Sequence, residues 1–147
     1  MAHIRKLIRD NLVTTLTGLT TTGTKVYQTR VYPISAASLP GLAIYTKSES
    51  SEYVSITAPR TVQHLLVALV EVYIQANSGY DNTLDTIASE IETALYSDIT
   101  RGGYAKDTRI TEFDSEFSGD PDQPVAFASL TVEIDYMTLE GDPESAV

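Results

Sequence analysis

Thr61-Val-Gln-His-Leu-Leu-Val-Ala-Leu-Val-Glu-Val-Tyr-Ile-Gln-Ala76 is the stretch whose reading decides the fold. Leu66, Ala68, Val70, Val72 and Ile74 fall on one face at a period of two, the pleat of a β-strand. At roughly 3.3 Å per residue such a strand runs on the order of 50 Å, well past the ~5–6 residues of an ordinary globular strand. The expectation is a strand that either carries a bulge or projects beyond its own sheet, and a projecting strand is a subunit contact. The opposite face, Leu65, Val67, Leu69, Glu71, Tyr73 and Gln75, turns polar toward its end, so burial on both sides is expected early and on one side late.

Upstream, Ile4, Leu7, Ile8, Leu12 and Leu16 recur every three or four residues and predict an amphipathic helix over 3–17, ended by Gly18. A Thr-rich loop at 20–24 leads to a short strand around 25–32, closed by Pro33. The Pro40-Gly41 turn precedes a buried strand, Leu42-Ala-Ile-Tyr-Thr46. Ser48-Glu-Ser-Ser-Glu52 is polar without a period and reads as a loop, followed by a short strand over Tyr53–Thr57 with a mobile tip near Pro59.

Downstream, the run Asn77–Asn82 supplies a turn and a helix cap, and Leu84, Ile87, Ala88, Ile91 and Leu95 make the stripe of a second helix to about residue 97. Gly102-Gly103 breaks the chain. Residues 107–117 alternate, with Ile110, Glu112, Asp114 and Glu116 on one side and Arg109, Thr111, Phe113 and Phe117 on the other. After the Ser118–Pro124 loop, Val125–Met137 is a strand with Ala126, Ala128, Leu130, Val132, Ile134 and Tyr136 aligned, so the two runs predict a hairpin. Residues 140–147 lack a hydrophobic period and read as a flexible acidic tail after a single domain over 1–139. Segregated strands with two helices predict an α+β fold, a mainly antiparallel sheet with both helices packed on one face.

Composition limits the chemistry. The 147 residues contain no cysteine, which excludes disulfides, a thiolate nucleophile and Cys-based metal sites. The longest apolar run, Leu65–Val70, is far below the ~20 residues of a membrane span, and the N-terminus lacks a signal core, so a soluble, unexported protein is expected. The net charge is −10, yet residues 1–30 hold five Lys or Arg and one acid, whereas Glu112–Val147 holds ten acids and no base. That surface repels a polyanion, since nucleic-acid affinity comes mainly from Lys and Arg on phosphates.

No motif points to catalysis. His3 in the first helical turn and His64 near a strand start read as structural or solvent-facing, and no Ser stands in a strand–turn–helix elbow. The glycines match no phosphate or dinucleotide fingerprint, so no cofactor is expected. Asp114, Glu116, Asp120 and Asp122 lack calcium-loop spacing, and a solvated acidic face is the reading over a metal site. Nine Tyr suit both sheet packing and protein interfaces.

An N-terminal helix, His3-Ile-Arg-Lys-Leu-Ile-Arg-Asp-Asn-Leu12, is followed by Arg30-Val-Tyr-Pro33 and Leu39-Pro-Gly-Leu-Ala-Ile-Tyr45, then a Ser/Glu loop, a long aliphatic strand, the Asp81–Leu95 helix and an acidic hairpin. This order resembles the tail terminator family of long-tailed bacteriophages, the minor tail protein U type. The resemblance implies a non-enzymatic structural subunit forming a homohexameric ring. Such a ring caps the tail tube at the head-proximal end of the virion, stops tube polymerisation and presents the head-joining surface after assembly in the host cytoplasm. The implied partners are the tail tube protein and a head–tail connector, with DNA only passing through the channel. Alternatives are another head–tail joining or tail-completion protein, and a small-ligand-binding or enzymatic α+β domain. For a ring, Glu112, Asp114, Glu116, Glu133 and Asp135 are the expected negative channel wall or rim, and Tyr53, Val54, Ile56, Tyr73 and Gln75 the expected subunit contact.

Overall fold

A computed structural model describes residues 2–28, 40–75, 79–117 and 125–147, without the side chains of Phe117 and Val125. The two apolar stripes become α1 (Ile4–Leu16) and α2 (Tyr80–Tyr96). Ile4, Ile8, Leu12 and Leu16 are buried on α1, and Leu84, Ile87, Ala88, Ile91 and Leu95 on α2. His3 caps α1 by accepting the Arg5 N–H at Nδ1 (3.0 Å), and Gly18, at φ 94°, takes the left-handed conformation that lets the chain leave the helix. The N-cap of α2 is Gly79, also left-handed. Asn77, Ser78, the Arg30–Pro33 segment and Leu39 lie outside the described residues.

The strands are β1 (Val26–Tyr27), β2 (Gly41–Tyr53), β3 (Thr61–Gln75), β4 (Asp107–Phe117), β5 (Val125–Leu139) and β6 (Asp142–Ala146). They form one sheet in the order β1-β2-β3-β5-β4, with β6 on β5. Pairing is antiparallel throughout except for the short parallel β1·β2 contact. Both helices cover the face carrying the even-numbered residues of β3 and β5, and these residues interlock with the two helical stripes in one core. The fold is α+β, as the pattern of elements predicts.

Four local expectations are overturned. First, β3 does not project: every residue from Thr61 to Gln75 is paired with β5, which is equally long, and Val62–Tyr73 pair with β2. Second, Ser48–Glu52 is strand and not loop. β2 continues through it to Tyr53 because β3 offers an unbroken ladder, and only residues 54–60 turn. Third, the C-terminal residues 142–146 form β6, which takes the part of β5's outer edge beyond β4. Backbone pairing there needs no hydrophobic period, and Glu140 anchors the turn by accepting from Arg60 N–H (3.0 Å) and Nε (2.9 Å). Fourth, the register slips by one residue between Ile110 and Glu112, and again between Thr46 and Ser48. An extra residue in a strand sends every later side chain to the opposite face. Arg109 therefore shares a face with Glu112, Asp114 and Glu116, and Ile110 shares the helix-side face with Phe113.

Candidate functional site

Each face of the sheet carries a polar constellation, and the slip at Lys47 decides the one on the helix side. Past it, Glu49 stands opposite Leu66, on the face that α1 covers. Glu49 Oε2 accepts from Arg5 Nη2 (2.9 Å), while Oε1 accepts from Arg5 Nε (3.3 Å) and from the Tyr136 hydroxyl. The His64 ring stacks on Tyr136 with centroids 4.5 Å apart. Its Nδ1 lies 2.8 Å from Ser51 Oγ and 3.7 Å from Glu49, and its Nε2 lies 2.8 Å from Thr138 Oγ1.

Burial pushes the Glu49 carboxyl up, but the Arg5 and Tyr136 hydrogen bonds outweigh it and hold the group below its ordinary range. Burial lowers the His64 imidazole against the pull of Glu49, and burial together with the Glu49 bond raises the Tyr136 phenol. The set contains Ser, His and Glu, yet Ser51 and Glu49 both approach Nδ1, whereas a nucleophile relay needs the acid and the hydroxyl on opposite ring nitrogens. This is a partly buried network that ties α1, β2, β3 and β5 together. Its role at Glu49 was not legible, because Arg5 and Tyr136 are 44 and 87 positions away.

The face away from the helices carries Glu112, Asp114 and Glu116 of β4 opposite Thr131, Ser129 and Phe127, and Glu133 and Asp135 of β5 on the same side. The structure thus brings the five predicted acids onto one face. Arg109 joins them, 2.7 Å from Asp107, 2.6 Å from Asp135 and 3.7 Å from Glu133. Those carboxylates raise its guanidinium further above its ordinary value, through the hydrogen bonds to Asp135 and Asp107 first. Glu133 and Asp135 are compensated in this way, whereas Glu112, Asp114 and Glu116 are exposed.

Beside the acids on this face, Leu65, Val67 and Leu69 are half-buried. Further along, the Tyr45 and Tyr73 hydroxyls donate to Glu71, and Tyr73 stacks on Phe127 at 5.8 Å. Burial along this side of β3 peaks at Tyr73, with Leu65, Val67, Leu69 and Glu71 half-buried and Gln75 exposed, so the expected early burial on both sides is not seen.

The five expected contact residues separate. Tyr53, Val54 and Ile56 are exposed at the β2–β3 tip, whereas Tyr73 is only 4% exposed and packs in the tyrosine cluster, and Gln75 is exposed at the far end of β3. The tip and Gln75 mark opposite ends of a strand, so they do not form one patch. Asp120 and Asp122 lie outside the described residues. Among the described residues no group of three or more His, Asp or Glu is placed to hold a metal ion, and no helix is long and apolar enough to cross a membrane.

No protein-family model matches the chain, and no curated protein matches it. Among solved structures, the chain is similar to a chain of the virion of a native gene transfer agent particle, at 15% identity and a TM-score of 0.40, over 90% of this chain and 92% of that one.

Proposed function

We propose that this chain is a structural virion protein and, within that class, a tail terminator: a hexameric ring subunit that caps the tail tube, stops its growth and offers the head-joining surface. The observation that carries the reading is the half-covered sheet. One face lies under two helices, while the other presents half-buried Leu65, Val67 and Leu69 beside exposed Glu112, Asp114 and Glu116. A strand face with an aliphatic centre and a charged margin suits a surface that packs against copies of itself or other subunits. The described elements also follow the order of the resemblance, from α1 through the Leu42–Tyr45 strand and the long β3 to α2 and the β4–β5 hairpin. No part of this role requires a reaction, and the Glu49–His64 network is spent on packing.

In this reading Glu112, Asp114 and Glu116 line the channel or its rim. The three acids follow one another on one face of β4, opposite Thr131, Ser129 and Phe127, so no cross-strand cation offsets their mutual repulsion. Negative walls let DNA pass where basic walls would hold its phosphates. Light scattering on the purified chain, with and without magnesium, is expected to give a mass near six times 16.0 kDa, and the particle is expected to cap purified tail tubes. A chain that stays monomeric at high concentration and leaves the tubes uncapped refutes the assignment. A ring that assembles without capping points to another head–tail joining protein. Changing Glu112, Asp114 and Glu116 together to Lys is expected to spare the ring and impair DNA delivery; normal infectivity of that phage refutes the channel role.

A further inference from the structure

The two lateral edges of the molecule carry opposite charge. The strand order β1-β2-β3-β5-β4 puts β1 and β2 at one side of the sheet and β4 at the other. Residues 1–53, from α1 to the end of β2, contain six Lys or Arg and three acids, whereas residues 80–117, from α2 to the end of β4, contain nine acids and three Lys or Arg. Several of these charges are already used within the copy. Arg5 holds Glu49, Lys6 holds Asp10, Glu90 accepts from the Thr21 N–H (2.9 Å), and Arg109 gathers Asp107, Glu133 and Asp135.

Among the described residues Arg9, Lys47, Asp85 and Glu92 make no ion pair. Arg9 lies on the β1–β2 side, because its neighbours on α1 point there: Arg5 reaches Glu49 of β2, and Asp10 accepts from Gln28, the residue after β1 (3.1 Å). Lys47, the extra residue of β2, is exposed and borders the same hollow as Arg5 and Glu49. Asp85 and Glu92 are seven positions apart and so share a face of α2. That face lies beside Ile110 and Phe113 of β4, on the flank away from Glu90 and its Thr21 partner. β2 and β4 are three strand spacings apart, roughly 14 Å, so the cations of one edge cannot neutralise the carboxylates of the other within one copy. Either edge set against itself brings like charges together, and only the basic edge against the acidic one brings opposite charges into contact.

We propose that the edge carrying Arg9 and Lys47 in one copy meets the edge carrying Asp85 and Glu92 in a second copy. The contact joins two different surfaces of the chain, so it is heterologous and closes into a ring when the rotation allows. It rests on the ring reading above and supplies the surfaces that reading lacks. Glu112, Asp114 and Glu116 project from the open face of the sheet and not from this edge, so the contact leaves them to the channel.

Charge reversal tests the contact without touching the apolar core. One full-length variant carries Arg9→Glu and Lys47→Glu, a second carries Asp85→Lys and Glu92→Lys, and each is checked for a wild-type melting curve. Where a reversed pair lowers that curve, Lys47→Glu and Glu92→Lys alone serve the same test. By itself each variant presents two edges of one sign, and it is expected to self-associate at least about tenfold more weakly than wild type. Mixed in equal amounts the two are expected to assemble again, because every edge then meets one of opposite sign. Sedimentation velocity reads the wild type, each variant and the mixture. Variants that assemble alone as wild type does, or a mixture that stays apart while the wild-type chain assembles, overturn the contact and leave the ring intact. A mixture that recovers only as dimers or open chains supports the contact and removes the ring. A wild-type chain that stays monomeric at every concentration overturns both.

Discussion

Glu49→Ala tests whether the helix-side network supports the fold. Tyr136 is fully buried, and Glu49 is the acceptor of its hydroxyl. Removing that acceptor leaves a buried donor without a partner, which costs about 1–3 kcal/mol. The Arg5 ion pair adds at most about 1 kcal/mol, because the Arg5 side chain is 40% exposed and water screens it. The sum, about 1–4 kcal/mol, corresponds to a loss of at least about 2 °C in melting temperature for a chain of this length. Tyr136→Phe removes the donor instead and lets Glu49 keep Arg5, so its cost is expected nearer the ~0.5–1.5 kcal/mol of a net hydrogen bond. Urea unfolding followed by far-UV circular dichroism, at concentrations where the chain is monomeric, measures both variants and the double mutant. If the two costs simply add, the groups are not coupled; if Glu49→Ala stays within about 0.3 kcal/mol of wild type, the network is ornamental.

Ile91→Asp places an unpaired charge at a fully buried point of α2, at a cost comparable with a whole domain's ~5–15 kcal/mol, so the monomer is expected to unfold. Loss of assembly with unchanged circular dichroism and melting temperature contradicts that and makes this stripe an interface. Acid is expected to weaken the monomer in two steps. His64 and Glu49 are both held below their ordinary values of 6.5 and 4.5 in the fold, so each stabilises it above that value and loses the contribution as pH falls through its shifted value. The His64 imidazole is faced by Glu49, His3 and Arg5, so His64→Gln is expected to remove the upper step of a pH–stability profile and leave the lower one. A profile identical to wild type refutes the assignment.

Periodic burial was legible because it is local. The even face of β3, the aligned residues of β5 and the stripes of both helices can be read from spacing alone, and together they determine an α+β sheet with two helices on one side. The polar strand at Ser48–Glu52 was not legible, since what holds it is distant in sequence. Glu49 needs Arg5 and Tyr136, Ser51 needs His64, and the backbone needs β3. β6 is hidden in the sequence for the same reason: its support is the edge of β5 and the Arg60–Glu140 pair.

The two register slips matter most for the candidate site, and each sorts carboxylates to the side where their surroundings suit them. Without the extra residue at Lys47, strict alternation would carry Glu49 to the face of Ala43 and Tyr45, away from Arg5. Without the one at Thr111, Glu112, Asp114 and Glu116 would turn toward Leu130 and Ala128 under α2, where an unpaired carboxylate costs several kcal/mol. An uncorrected period of two correctly groups the three acids but assigns Arg109 to the wrong side, since Arg109 precedes the slip and they follow it. That placement sets the electrostatics of the open face. The β5 acids and Asp107 gather around one guanidinium, and the unneutralised charge is concentrated on the distal half of β4. A deletion that removes Thr111 is therefore expected to be far more damaging than Thr111→Ala, which keeps the register: the deletion inverts the rest of β4, and the substitution changes one exposed side chain.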